Sequence, residues 1–133
     1  MATKTGVKKA IRIGFSLEEM AFQEDIVDIQ PNSDYKTFCN LIGADFMDVV
    51  PFDDEFDIAV DDEGLMVSGN PVIEIQTEYG TQQLAGTLLF LKKKFTNDGI
   101  DLIGFEAGET FNLMLKLESL KLEGKIKVTG KTA

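Results

Sequence analysis

Five short stretches alternate apolar with polar residues and are cut off from one another by Gly, Pro, Asn or Asp: KAIRIGF at 9–15, EDIVDIQ at 24–30, FDIAV at 56–60, VIEIQ at 72–76 and IDLIGF at 100–105. A period of two sends successive side chains to opposite faces, so each stretch reads as a strand, and short turns between them favour antiparallel pairing. Phe46–Phe52 and Leu65–Ser68 read as further strands. The more continuous apolar run Leu84–Leu91 reads as a central strand covered on both faces. Pro31, the turn Asp61-Asp62-Glu63-Gly64, Gly69-Asn70-Pro71 and Gly99 supply the breaks, with Gly64 expected at a positive φ.

The strongest helical signal is NSDYKTFCNLIG. Asn32 or Ser33 can cap it, Tyr35, Phe38, Cys39 and Ile42 share one face, and Gly43 suits the stop. Ser16 and Glu19 have capping-box spacing, which predicts one helical turn there. Between Glu106 and Ser119 the pattern is double: Phe111, Leu113, Leu115 and Leu117 alternate as in a strand, whereas Phe111, Met114, Leu115 and Glu118 share one side of a helix. The tail LKLEGKIKVTGKTA reads as a basic hairpin or a loosely held extension. These elements make an α+β fold, a mostly antiparallel sheet of five to seven strands packed with one or two helices. The expected organisation is a single compact domain over residues 1–133, with a flexible basic N-terminus over 1–8 and a basic C-terminal extension from about 121 to 133.

With 44% apolar and 27% charged residues, the 133-residue chain has the composition of a folded domain. No apolar stretch approaches the roughly 20 residues that cross a bilayer. The basic start MATKTGVKKA is followed by neither an apolar core nor a small-residue cleavage site, so a cytoplasmic protein is expected. The single Cys39 cannot form an internal disulfide and fits a core position better than a nucleophile, because the chain has no His to activate it.

The net charge of -10 is unevenly spread. Between Glu18 and Glu78 there are seventeen acids and one base, Lys36, while the residues from Thr81 onward carry eight Lys against six acids. The densest acidic run is Asp53, Asp54, Glu55, Asp57, Asp61, Asp62 and Glu63, seven carboxylates within residues 51–63. In FDIAV, Asp57 alternates with Phe56 and Ile58, so these acids are expected at turns and on an outward face. Such a face repels nucleic-acid phosphates and attracts basic partners, though its commonest use is solubility.

The chemical motifs fail on count. Gly64 at position 6 of a calcium loop puts Ala59 at position 1, and Gly99 there puts Lys94 at position 1. Zinc has no His and one Cys to bind. Asp53, Asp54, Asp61 and Asp62 satisfy the minimum for a weak hard-cation site without specifying one, so neither metal nor cofactor is expected. Gly124 to Thr132 looks like a phosphate loop, but five residues separate its glycines where four are required, and no helix follows. No serine has an imidazole partner and no carboxylate pair stands out, so an enzyme is not expected. Neither zinc nor aromatic RNA-binding signatures occur, which disfavours direct nucleic-acid binding.

The stretch YKTFCNLIGADFMDVVPF, followed by DIAVDDEGLMVSGNP, LAGTLLFL and NDGIDLIGF, resembles a family of small uncharacterised proteins from phages, plasmids and other mobile elements. The likeness covers roughly residues 8–118 and implies a compact α+β fold, a helix over Glu106–Ser119 and no catalytic residues. Three function classes follow. The first is a non-enzymatic interaction protein whose acidic face engages a basic host protein, as a DNA mimic or in anti-defence. The second is a small-molecule or nucleotide-sequestering module using Lys92, Lys93 and Lys94 or the tail lysines. The third is a structural or assembly protein, a homo-oligomer joined through an exposed strand at FNLMLKL or KIKV.

Overall fold

The computed structural model describes residues 8–133, so most of the expected N-terminal tail lies outside the described residues. The chain runs β1 (Lys8–Ser16), β2 (Ala21–Ile29), α1 (Tyr35–Ile42), β3 (Met47–Pro51), β4 (Phe56–Asp61), a 3-10 turn (Gly64–Met66), β5 (Pro71–Thr77), β6 (Gly80–Ala85), β7 (Leu88–Thr96), β8 (Gly99–Ile103), α2 (Ala107–Leu122) and β9 (Ile126–Lys131). This is the expected α+β fold, with two helices and only antiparallel pairings among the described strands. Its nine described strands exceed the five to seven read from the sequence, and they form two sheets.

The larger sheet has the order β2-β1-β7-β4-β3, with β8 paired to β7; the smaller is β6-β5-β9. Two departures from the sequence reading create this division. Leu84–Leu91 is not one strand: Gly86, at φ 94, breaks it, leaving Leu84 and Ala85 in β6 and starting β7 at Leu88. The tail is not an appendage either, since β9 pairs with β5 from Pro71↔Lys131 to Ile75↔Ile126 and buries Ile126.

β1 and β2 pair without interruption from Lys8↔Ile29 to Ser16↔Ala21. The link between them is a hairpin turn rather than a helical one, although the Glu19 N–H does donate to Ser16 Oγ at 3.0 Å. Arg12 clamps this hairpin to α1, donating from Nε to Asp25 at 3.0 Å and from Nη1 to the Leu41 carbonyl at 3.0 Å. α1 follows the expected face, burying Phe38, Cys39 and Ile42. Its cap is Asp34, however, not Asn32 or Ser33.

The double pattern after Glu106 resolves as a helix. Leu113 and Leu117 face the core, and the Glu106 N–H donates to the Glu109 carboxylate at 3.1 Å to secure the start. FNLMLKL therefore offers no strand edge, whereas KIKV, in β9, does lie at the edge of the smaller sheet. One cluster of buried side chains joins both sheets and both helices, including Ile11, Ile58, Leu89 and Phe90 of the larger sheet, Ile73 and Ile75 of the smaller, Phe38 of α1 and Leu117 of α2. Edge-on aromatic pairs, Phe52 with Phe90 and Phe56 with Phe105, set its packing at centroid distances of 5.2 and 5.3 Å. No helix among the described residues is long and apolar enough to cross a membrane.

Candidate functional site

β4 decides the fate of the acidic run. It lies between β7 and β3, and every residue from Phe56 to Val60 is buried, so it has no wet face. The seven carboxylates are split between its two ends, with Asp57 and Asp61 four positions, or about 13 Å, apart along the strand.

At the first end, the loop from Phe52 to Glu55 and the start of β4, Asp53 and Asp57 are structural. Asp53 is 6% exposed; its Oδ1 accepts the Glu55 and Phe56 N–H groups at 2.8 Å each, and its Oδ2 takes Lys116 Nζ at 2.8 Å. Asp57 is also 6% exposed and lies 3.3 Å from Lys93 Nζ through Oδ1, an atom that makes no hydrogen bond. Burial pushes its carboxyl above the ordinary range, with the Asp53 charge adding to that and Lys93 opposing it. Both residues contradict the outward placement read from alternation, because the strand is covered on both sides. Asp54 and Glu55 remain exposed, and Asp54 accepts the Tyr79 hydroxyl at 3.0 Å, which raises the phenol's pKa.

At the second end Asp62 and Glu63 stay open, while Asp61 Oδ1 accepts the Glu63 N–H at 2.9 Å. Asp62 and Glu63 are exposed and Asp61 half-buried, and among the described residues no base pairs with any of them or with nearby Asp45. The Asp62 N–H donates to the Phe46 carbonyl at 3.2 Å, which puts Asp45 and Phe46 beside the acidic turn. LMVS does not continue as a strand. Glu63 and Gly64 accept the Met66 and Val67 N–H groups, forming the 3-10 turn, and Leu65, Met66 and Val67 are 60%, 83% and 45% exposed. Phe46 is 58% exposed.

The turn is firmly built. Gly64 does not have the expected positive φ; its role is a close approach, since a Cβ there would fall 2.5 Å from the Ala85 carbonyl oxygen. Asn70 Nδ2 donates to the Gly64 carbonyl at 2.9 Å, while the Thr132 hydroxyl donates to the Val67 carbonyl and accepts the Asn70 N–H. The sheet therefore holds the backbone while the apolar side chains point to solvent. Sequence reading picked out Asp61, Asp62 and Glu63 but missed Phe46, Leu65, Met66 and Val67, because a short apolar triplet after an acidic turn has the same pattern as a buried strand.

Asp53 and Asp54 at one end and Asp61 and Asp62 at the other do not converge as a cation site, and no group of three or more metal-binding side chains gathers among the described residues. The lysine triplet also disperses. Lys92 pairs with Glu109 on α2, Lys93 turns to Asp57 and donates to the Asp53 carbonyl at 2.8 Å, and Lys94 lines a separate cavity of about 280 Å³ beside Lys8. Lys125 and the pair Lys127 and Lys131 line two further cavities, so the expected anion cradle does not assemble. A groove of about 540 Å³ beside α1 contains one cation, Arg12, already bonded to Asp25 and Leu41. Another exposed apolar surface among the described residues, Phe111, Leu115 and Leu122 of α2, lies on an element whose neighbouring Lys8–Glu106, Lys9–Asp28 and Lys121–Glu118 pairs cancel in charge.

No family model matches the chain, and no curated protein or solved structure matches it either.

Proposed function

We propose that the protein is a non-enzymatic interaction module that docks a basic, amphipathic segment of a partner protein on the surface made by Phe46, Leu65, Met66 and Val67 with Asp45, Asp61, Asp62 and Glu63. The observation that carries this reading is a firmly anchored turn holding Met66 at 83% exposure beside carboxylates that no described base neutralises. Exposed apolar side chains supply the contact area, and unpaired charge at the rim supplies selectivity and on-rate. The acidic run supports this more than DNA mimicry, since Asp53 and Asp57 are withdrawn and the other five acids divide between the two ends of β4. A phage or mobile-element origin rests on the sequence resemblance alone.

The test is a titration of the ¹⁵N-labelled full chain with a Lys/Leu amphipathic peptide, against a Lys/Ser peptide of equal charge. The Lys/Leu peptide is expected to shift amides over 45–48 and 61–67, to bind at least about tenfold more weakly when salt shortens the Debye length, and to lose binding to D62N/E63Q/M66S. Equal binding of both peptides, or shifts confined to other surfaces, would overturn the reading.

A further inference from the structure

The proposed docking surface leaves Asp57 and Lys93 unexplained. They lie on adjacent central strands, Asp57 opposite Leu91 and two positions along from Lys93, so both side chains meet on one face. Their side chains are 8% and 10% exposed. Buried ion pairs offset their desolvation only through good geometry and further hydrogen bonds, and Asp57 Oδ1 has none. The backbone fixes both partners: the Lys93 N–H donates to the Glu55 carbonyl at 2.8 Å, and Nζ donates to the Asp53 carbonyl at 2.8 Å, leaving its remaining valences toward Asp57 at 3.3 Å. The Tyr79 ring, 5.7 Å from Nζ, closes part of the surroundings.

We propose that Lys93 and Asp57 condense in the folded protein to an isopeptide bond, a covalent cross-link between β4 and β7. The step balances without a co-reactant. A proton passes from the ammonium to the carboxylate, giving a neutral amine and a carboxylic acid, the form that burial of Asp57 favours. The amine lone pair attacks Cγ, the N–Cγ bond forms, and one Cγ–O bond breaks. That oxygen leaves as water with the carboxyl proton and one amine proton; the amide keeps the other N–H. Preorganisation by two hydrogen-bonded strands replaces the activation that a free amine and acid lack. The neighbouring Lys116–Asp53 pair is a poor candidate, because both Asp53 oxygens are engaged and the lysine side chain is 44% exposed.

Intact-mass measurement of the folded full chain, denatured just before analysis, tests this. The expected mass is one water below that of the sequence, with residues 57 and 93 recovered in a single branched peptide after digestion. K93R keeps the positive charge without a competent nucleophile, and D57A removes the electrophile; either variant is expected at its full mass. A wild-type mass with no water missing overturns the proposal and leaves an ion pair. So does a water loss that persists in K93R or maps to Asp98–Gly99, where an aspartyl side chain can cyclise onto the following amide without Lys93.

Discussion

The two ends of β4 carry similar sequences, FDDEFD and VDDEGL, yet the fold treats them oppositely. At the first, Asp53 and Asp57 are buried and matched to Lys116 and Lys93, and the loop closes over Phe52. At the second, Asp62 and Glu63 remain in solvent, with exposed Leu65 and Met66 just beyond. Local composition does not separate the two. What separates them is the reach of α2 and β7, which supply lysines to one end only. A carboxylate held by backbone N–H groups or by a lysine holds structure, as Asp53 and Asp57 do, whereas Asp62 and Glu63, held by neither, are available to a partner.

The largest test of this contrast is a substitution at each end. D53A leaves two backbone donors and the Lys116 ammonium without their acceptor, and is expected to cost about 2–4 kcal/mol of stability, read from the urea midpoint. D62N/E63Q is expected to stay within about 0.5 kcal/mol of wild type. Equal effects at the two ends would erase the distinction between structural and working acids.

Much of this contrast was hidden in the sequence, for identifiable reasons. Period-two alternation located β1, β2 and β5, and the apolar spacing around Phe38 and Cys39 located α1, because those elements have one more covered and one more open face; it located β8 as well, although that strand buries no residue. FDIAV was found as a strand but misread in exposure: that Asp57 is buried depends on β4 lying between β7 and β3, a property of topology rather than of local pattern. Gly86 was passed over because LAGTLLFL is apolar on both sides of it. NSD contains three residues able to cap, and only the geometry selects Asp34. Of the site, the acids Asp61, Asp62 and Glu63 were legible as charge, whereas the apolar half depended on a turn anchored by Asn70 and Thr132 from distant segments.

A middle-sized effect sharpens the comparison from the open end. If the surface works because its turn is held against β6, crowding that contact should harm both stability and docking. In G64A the new Cβ meets the backbone oxygen of Ala85 at 2.5 Å, and a backbone neighbour cannot swing aside as a side-chain tip would. The expected cost is about 1–3 kcal/mol, with weakened binding of the Lys/Leu peptide at temperatures where the variant is still folded. D62N/E63Q should weaken the peptide without that cost. A G64A protein as stable as wild type would show that the turn is held loosely.

The smallest effect tests whether exposure alone sorts the acids. Asp34 lies on the surface, yet its Oδ1 accepts the Thr37 N–H at 3.1 Å and the Thr37 hydroxyl at 2.9 Å, so hydrogen bonding places it with Asp53 rather than with Asp62. Those two bonds, the backbone one foremost, hold its carboxyl below the ordinary aspartate value of 3.8, with Lys36 assisting. A folded-state pKa below the unfolded one contributes stability that is fully present above the unfolded value and is lost as pH falls through the folded one. D34A should therefore lower the urea midpoint modestly at neutral pH, and D34N by less, since an amide still caps a helix. The gap between wild type and D34N should close on acidification below 3.8. At neutral pH D62N should leave the urea midpoint unchanged. If D34A and D62N instead leave the midpoint equally unchanged at neutral pH, accepting a backbone N–H is not what distinguishes the structural carboxylates of this protein.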